Sequence, residues 1–151
     1  MGEYRNPSLT ADIFIFDDDL NFILIKRKQN PFKNYWALPG GFVEYGESVE
    51  DAAIREAKEE TSIDIELLDL VGVYSKPGRD PRGHSVTVAY TAKGNMEEMN
   101  ANDDALEINI FNVKNLDEIK LAFDHDKIIN DCLKIIKSKF WVKLNSKYLN
   151  N

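Results

Sequence analysis

Apolar positions fall into short, β-rich runs near the start of the chain and again after residue 64. Residues 9–16 form one such run, residues 17–21 are polar, and residues 22–25 form the next run. Two β-rich runs joined by a short polar segment predict a β-hairpin. The same composition predicts three further strands, at residues 65–74, 85–92 and 106–113.

Two segments have helical spacing instead. Residues 48–61 begin with Ser48, a favourable N-cap, and Asp51 follows three positions later in a weak capping-box pattern. Apolar residues recur at intervals of three and four over residues 126–141. Residues 93–104 are polar and predict a loop. This order predicts an α+β fold of the α/β/α sandwich type, in which helices flank a mixed sheet.

The length of 151 residues suits one domain over the whole chain, with a core of about residues 8–141 and a polar C-terminal tail that frays from Lys143. No apolar run approaches the roughly 20 residues that cross a membrane, and the first residues lack a signal-peptide core. The single cysteine, Cys132, cannot form an internal disulfide and is interpreted as a small buried residue. We therefore expect a cytoplasmic protein.

The formal net charge of −7 comes from 26 acidic and 19 basic residues. Nonspecific binding to nucleic acid depends on a basic surface, so this balance argues against it. A phosphate-bearing ligand would meet repulsion from such a protein. It would need divalent cations or a local basic cluster.

Three carboxylates lie on one face of the first predicted helix. At about 100° per residue, Glu60 lies about 40° from Glu56, and Glu59 lies about 60° to the other side. Glu56 and Glu60 are like charges four residues apart, an unfavourable pairing unless a cation bridges them. Magnesium prefers carboxylate oxygens together with water. Taken alone, the pattern also fits a solvated acidic surface.

The surrounding spacing distinguishes these two interpretations. Gly41 is followed by Glu47 and then by the run Arg55-Glu56-Ala57-Lys58-Glu59-Glu60-Thr61-Ser62-Ile63. This segment strongly resembles the Nudix hydrolase box, in which a glycine, a glutamate and an Arg-Glu-apolar-x-Glu-Glu-x-Gly-apolar run have this spacing. Ser62 departs from the box, because the family usually has glycine there. Glycine adopts the left-handed conformation of a helix end at little cost, so Ser62 predicts a strained or differently shaped end.

The resemblance implies a site for Mg²⁺, with Mn²⁺ as an alternative. By analogy, Glu56 and Glu60 are the main metal ligands, Glu59 joins them, and a backbone carbonyl of Gly40 or Gly41 completes the set. The metal ions would draw electrons from the bridging phosphates and lower the pKa of the attacking water.

The same resemblance implies that Arg55 and Glu47 tie the preceding loop to the helix through paired hydrogen bonds. The base that activates water is not determined by the box. Glu59 competes for this role with acidic residues just before the last predicted strand, which are Asp103, Asp104 and Glu107.

Flanking residues bear on the substrate. Residues 75–90, residues 6–10 and Pro77 resemble the ADP-ribose pyrophosphatase branch of the family, so the resemblance covers roughly residues 6–125. Arg79 and Arg82 suit phosphate contacts, although a surface loop paired with Asp80 is an equal interpretation. His84 is a candidate substrate contact or a structural histidine. Aromatic candidates for stacking on adenine, some of them core residues, are Trp36, Tyr35, Phe32 and Tyr74.

The leading hypothesis is an ADP-ribose pyrophosphatase that yields AMP and ribose 5-phosphate. A second keeps the fold and the metals but cleaves ordinary or oxidised nucleoside triphosphates. A third is a ligand-sensing regulator, which would carry a winged-helix DNA-binding part after the Nudix domain. Only about 25 residues follow Asp126, and the acidic charge disfavours DNA. The resemblance to the ADP-ribose branch also implies a homodimer.

Overall fold

A computed structural model describes residues 4–100 and 107–149, with side chains as far as residue 140. Its strands and helices follow the predicted order, with two additional short strands before the first helix. In chain order they are β1 Ser8–Phe16, β2 Asn21–Lys26, β3 Trp36–Ala37, β4 Gly40–Phe42, α1 Val49–Thr61, β5 Glu66–Tyr74, β6 Ser85–Lys93, β7 Glu107–Asn112 and α2 His125–Leu149.

The described strands form one mixed sheet in the order β3-β2-β1-β6-β5. β4 pairs with β1, and β7 pairs with β2. β1 and β6 run parallel, whereas the other pairs are antiparallel. The predicted hairpin is confirmed, since β1 and β2 pair with Phe16 opposite Phe22.

The alternation of side chains along β1 divides the core into two layers. Ala11, Ile13 and Ile15 pack with Ala53 and Ala57 of α1. The intervening aromatic residues face α2 and pack with its buried residues, so the second cluster includes Phe14, Phe16, Ile128, Ile129 and Cys132. Successive strand residues point to opposite faces, which is why one apolar run serves both helices. The predicted α/β/α sandwich is confirmed.

Both ends of α1 follow the capping logic of the sequence. The Ser48 side chain accepts a hydrogen bond from the Asp51 N–H at 3.0 Å. At the other end, Ser62 has φ = 68° and donates its N–H to the Lys58 carbonyl at 3.0 Å. Ser62 therefore adopts the left-handed conformation that glycine would take. The helix end has its ordinary shape, and the cost is local backbone strain.

The predicted extent of the second helix was wrong at its C-terminal end. α2 begins at His125 and continues to Leu149, through the region predicted as a frayed tail from Lys143. No glycine or proline follows Gly94, so no residue of the sequence interrupts the helix. Among the residues described, no helix is long and apolar enough to span a membrane.

Candidate active site

The turn of residues 38–41 leads from β3 into the start of β4 and faces α1. Gly40 pairs with Asp12 of β1 and donates its N–H to Glu60 Oε2 at 3.1 Å. A side-chain carbon at Gly40 would lie 2.1 Å from the Ala11 carbonyl oxygen. Only glycine allows this close approach of backbone to backbone, which brings an N–H group to the Glu60 carboxylate.

Gly41 makes a second close approach, to Glu56. A side-chain carbon at Gly41 would lie 2.5 Å from Cδ of Glu56. Burial raises the pKa of Glu56, although Arg55 opposes the shift. Burial also raises the pKa of Glu60 to about 8, against the Gly40 N–H and with repulsion from Glu56 adding to the effect. These two carboxylates therefore lie in a partly buried position where a cation would stabilise their ionised forms.

Arg55 connects the loop before α1 to the helix. It donates from Nε to Glu47 Oε2 at 2.7 Å and from Nη2 to Glu47 Oε1 at 3.0 Å. Nη1 reaches Glu56 Oε1 at 2.9 Å and Glu59 Oε2 at 3.2 Å, and Nη2 also donates to the Phe42 carbonyl. The hydrogen bonds to Arg55 lower the pKa of Glu47 to about 2. The pairing of Arg55 with Glu47 implied by the family resemblance is thus present.

The predicted metal ligands come together at this place, but they are not arranged as a completed site. Among the described side chains, no three His, Cys, Asp or Glu groups already surround one point suited to a metal ion. Arg55 Nη1 contacts both Glu56 and Glu59, while Glu60 is turned to the Gly40 N–H. The donor set still fits a hard divalent cation, because it consists of carboxylates whose charge one guanidinium does not balance.

A cleft of about 210 Å³ opens beside the turn. Arg27, Arg79 and Arg82 line it together with Phe123 and Asp80. Two guanidiniums lie near the Phe123 ring, with Cζ of Arg27 at 4.7 Å and Cζ of Arg82 at 5.6 Å from its centroid. Burial and the nearby Arg82 lower the pKa of Arg27. This cleft is a local basic cluster on an acidic protein.

The two arginines predicted for substrate binding have different surroundings. The Arg79 side chain is buried and forms a bidentate pair with Asp124, at 2.8 Å from Nε and 2.6 Å from Nη2. Burial opposes its charge, but the pairing with Asp124 outweighs burial and raises the pKa of Arg79. The Arg82 side chain is 53% exposed and pairs with Asp80 at 2.8 Å. Arg82 can therefore turn toward a ligand more freely than Arg79.

The other predicted substrate contacts lie further apart. His84 is exposed, shares a neighbouring cleft of about 520 Å³ with Arg82, and its Nε2 lies 2.9 Å from the Ser75 carbonyl oxygen. Trp36 lies in a different groove and packs edge-on against Phe111, with 4.8 Å between ring centroids. The structure thus brings Arg79 and Arg82 together and places Trp36 elsewhere.

The candidate bases are also separated. The Glu59 side chain is 59% exposed and bonded to Arg55. Glu107 begins β7 and pairs with Lys26 at 3.7 Å. Lys26 lines the same groove as Glu60. Asp104 lies outside the described residues, as does Asp103.

Sequence reasoning missed four residues that line the 210 Å³ cleft. They are Asp12, Arg27, Phe123 and His125. Asp12 could have been found, because it is the one charged residue within the apolar run 9–16. His125 directly precedes the predicted start of the second helix. Arg27 and Phe123 carry no comparable local signal.

Comparison with known proteins identifies the class. Residues 6–132 match the NUDIX domain family, so this chain belongs to that family and is a Nudix hydrolase. It is 49% identical over 131 residues to an ADP-ribose pyrophosphatase from Methanocaldococcus jannaschii, a match covering 87% of this chain and 76% of that protein.

Regulatory relatives also match. The ADPR responsive transcriptional repressor NtrR of Acinetobacter baylyi is 35% identical over 147 residues, covering 91% of this chain but only 58% of the repressor. Among solved structures, the NUDIX domain of Shewanella oneidensis NrtR complexed with ADP ribose superposes with a TM-score of 0.77 at 29% identity. That match covers 88% of this chain and 90% of the domain.

Proposed function

We propose that this Nudix hydrolase cleaves ADP-ribose to AMP and ribose 5-phosphate with the help of Mg²⁺ or Mn²⁺. The observation that carries the proposal is the position of Glu60 and Glu56 against Gly40 and Gly41, two residues that line the arginine-rich cleft. The choice of substrate is supported by 49% identity to a protein named ADP-ribose pyrophosphatase.

In this proposal Glu56, Glu59 and Glu60 hold the metal, together with a carbonyl of Gly40 or Gly41. The bound ion would polarise phosphoryl oxygens and lower the pKa of the attacking water. It would also keep the partly buried Glu60 ionised near neutral pH, where its raised pKa otherwise favours the protonated acid.

The chain's own residues bind and orient the diphosphate. Arg82 is exposed enough to exchange Asp80 for a phosphate, and Arg27 supplies a second charge beside the same Phe123 ring. Arg79 holds the cleft wall through Asp124. A carboxylate takes the proton of the attacking water, and the candidates remain Glu59, Asp103, Asp104 and Glu107.

The test is incubation with ADP-ribose and Mg²⁺, with the products identified by chromatography. We expect AMP and ribose 5-phosphate, and no turnover once a chelator removes the cation. Rapid turnover of another Nudix substrate with none of ADP-ribose would defeat the substrate assignment. Replacing each of the four candidate bases by its amide, one at a time, distinguishes them, since only loss of the base should flatten the acid side of the pH–rate profile.

Two rival functions have specific support. Sensing of ADP-ribose without hydrolysis is favoured by the similarity to NtrR over 91% of this chain. Binding of ADP-ribose, measured by calorimetry, without release of AMP would support that function.

Triphosphate cleavage is favoured by 42% identity over 67 residues to a putative 8-oxo-dGTP diphosphatase from Bacillus subtilis, which covers 44% of this chain. Release of pyrophosphate would identify it.

We also propose that the protein is a homodimer that does not bind nucleic acid. β5 is an edge strand of the described sheet, and it exposes Leu70 and Val73 by 59% and 60%. Exposed apolar side chains on an edge strand favour association with another chain. Light scattering should give twice the mass of 17.3 kDa, and a Leu70→Lys, Val73→Lys double variant should give the monomer mass.

A further inference from the structure

His125 and Asp12 form a buried polar pair on the α2 side of the sheet. His125 is 4% exposed and Asp12 is 9% exposed. Asp12 Oδ2 accepts the Thr87 hydroxyl at 2.7 Å and lies 3.7 Å from His125 Nε2. Buried polar groups are costly unless they are paired, so this pair calls for a reason beyond packing.

The hydrogen bonds of His125 define its state. Nδ1 accepts the Leu38 N–H at 3.0 Å, so this nitrogen carries no proton. Because Nδ1 carries no proton, the ring is neutral. Burial, which lowers the pKa of His125 although Asp12 opposes the shift, favours this form. Its proton lies on Nε2, which faces Asp12. The imidazole thus presents an acceptor to the backbone and a donor to the carboxylate side.

The Leu38 N–H belongs to the same turn that faces the carboxylates of α1. Two residues later Gly40 donates to Glu60, and between them the Pro39 carbonyl accepts the Ile13 N–H at 2.9 Å. The turn is therefore held at its start by His125, at its middle by β1 and at its end by Glu60. Because β3 ends at Ala37, the Leu38 N–H is bonded by a side chain rather than by a strand.

We propose that His125 is a positioning residue of the hydrolase. Its Nδ1 sets the place of residues 38–41, and through them the backbone of Gly40 and Gly41 beside Glu60 and Glu56. The inference rests on the metal-ligand assignment proposed above. An apolar residue could fill the same volume, but it would leave the buried Leu38 N–H without a partner and free the turn to shift.

Four variants test this. In His125→Asn, Oδ1 can occupy the place of Nδ1 and accept the Leu38 N–H. His125→Gln carries its amide nearer the place of Nε2, and His125→Leu removes both polar groups. Ile129→Ala is the matched control, because Ile129 is a fully buried core residue of the same helix whose apolar side chain can make no hydrogen bond to the turn. Melting temperature is recorded for each variant.

We expect the Gln and Leu variants to lower kcat and Mn²⁺ affinity about 10- to 100-fold, as loss of an outer-shell partner does. KM for ADP-ribose should change less than threefold, and the Gly40 amide NMR signal should shift. In the Asn variant, kcat, Mn²⁺ affinity and the Gly40 signal should all be close to those of the wild type. The Ile129 variant should lower the melting temperature and leave kcat unchanged.

The proposal is overturned if His125→Gln keeps wild-type kcat and Mn²⁺ affinity, or if His125→Asn is as impaired as His125→Leu. The proposal is also overturned if the Gly40 amide signal does not shift in any of the His125 variants. Failure of the wild type to cleave ADP-ribose would defeat the proposed substrate alone. Mn²⁺ binding measured by EPR and the Gly40 signal would still decide the role of His125.

Discussion

The two faces of the sheet contribute to the candidate site in different ways. On the α1 face, the charged groups come from one short stretch, in which Arg55, Glu56, Glu59 and Glu60 share a helix. On the α2 face, the pairs join distant residues, such as Asp12 with His125 and Arg79 with Asp124. The first arrangement is a property of helical spacing. The second exists only once strand and helix have packed together.

The largest expected effect is a loss of activity from substitutions on the α1 side of the site. Glu56→Gln or Glu60→Gln should lower kcat about a thousandfold, since each removes a charged group from the proposed cation site, worth several kcal/mol. The fold should persist, because glutamine keeps the volume and removes a like charge. Steady-state kinetics and thermal unfolding measure both. Near-normal turnover in either variant would contradict the ligand assignment.

A smaller effect is expected at the residue that ties the loop to α1. Arg55→Ala should lower activity about 10- to 100-fold, the cost of losing an outer-shell partner. It should also lower the melting temperature, because Glu47 loses both of its Arg55 hydrogen bonds. An unchanged melting temperature would argue against the tie. Arg55→Lys is the control that keeps the charge without the paired geometry.

The same pair predicts a pH dependence. The folded pKa of Glu47 is about 2, below its ordinary value of 4.5. Its contribution to stability is therefore complete above about pH 4.5 and is lost as the pH falls through about 2. Urea unfolding across this window should be less pH-dependent in Arg55→Ala than in the wild type. If the free energy of unfolding depends equally on pH in Arg55→Ala and the wild type, another group dominates acid unfolding.

On the α2 side, Arg79 and Arg82 of the cleft are expected to differ in role. Arg82→Ala should raise KM about tenfold with little change in stability, as expected for an exposed phosphate contact. Arg79→Ala should cost about 3 kcal/mol in the free energy of unfolding, because it leaves Asp124 partly buried without its partner. Kinetics and urea unfolding of both variants measure the contrast. Interchanged results would make Arg79 the phosphate contact and Arg82 the structural residue.

The smallest effect concerns the end of α1. Ser62→Gly should relieve the strain at φ = 68° but lose the Ser62 hydroxyl bond to the Asn100 carbonyl, so we expect a change within about 1 kcal/mol. Ser62→Val should destabilise the fold by about 1–3 kcal/mol, because a β-branched residue resists this conformation. Equal melting temperatures of the two variants would exclude a strained cap.

Local features were predictable because they depend on neighbours in sequence. The start and end of α1, the β1–β2 hairpin and the Arg55–Glu47 pair all follow from spacing or resemblance within about ten residues. The C-terminal extent of α2 was missed, since a polar composition was interpreted as a frayed tail. Nothing in residues 125–149 breaks a helix.

The sequence by itself determined the family, the sandwich of two helices and a mixed sheet, and the face of α1 that carries three glutamates. Each follows from the periodicity of one segment or from a contiguous motif. Only the tertiary structure decided which arginine is buried against Asp124, where Trp36 lies, and how His125 meets the Leu38 N–H. Arg79 and Asp124 are 45 residues apart in the sequence, and Leu38 and His125 are 87 residues apart. No local sequence pattern predicts these contacts. They depend at once on the alternation of side chains along a strand, on the glycine turn and on the start of α2.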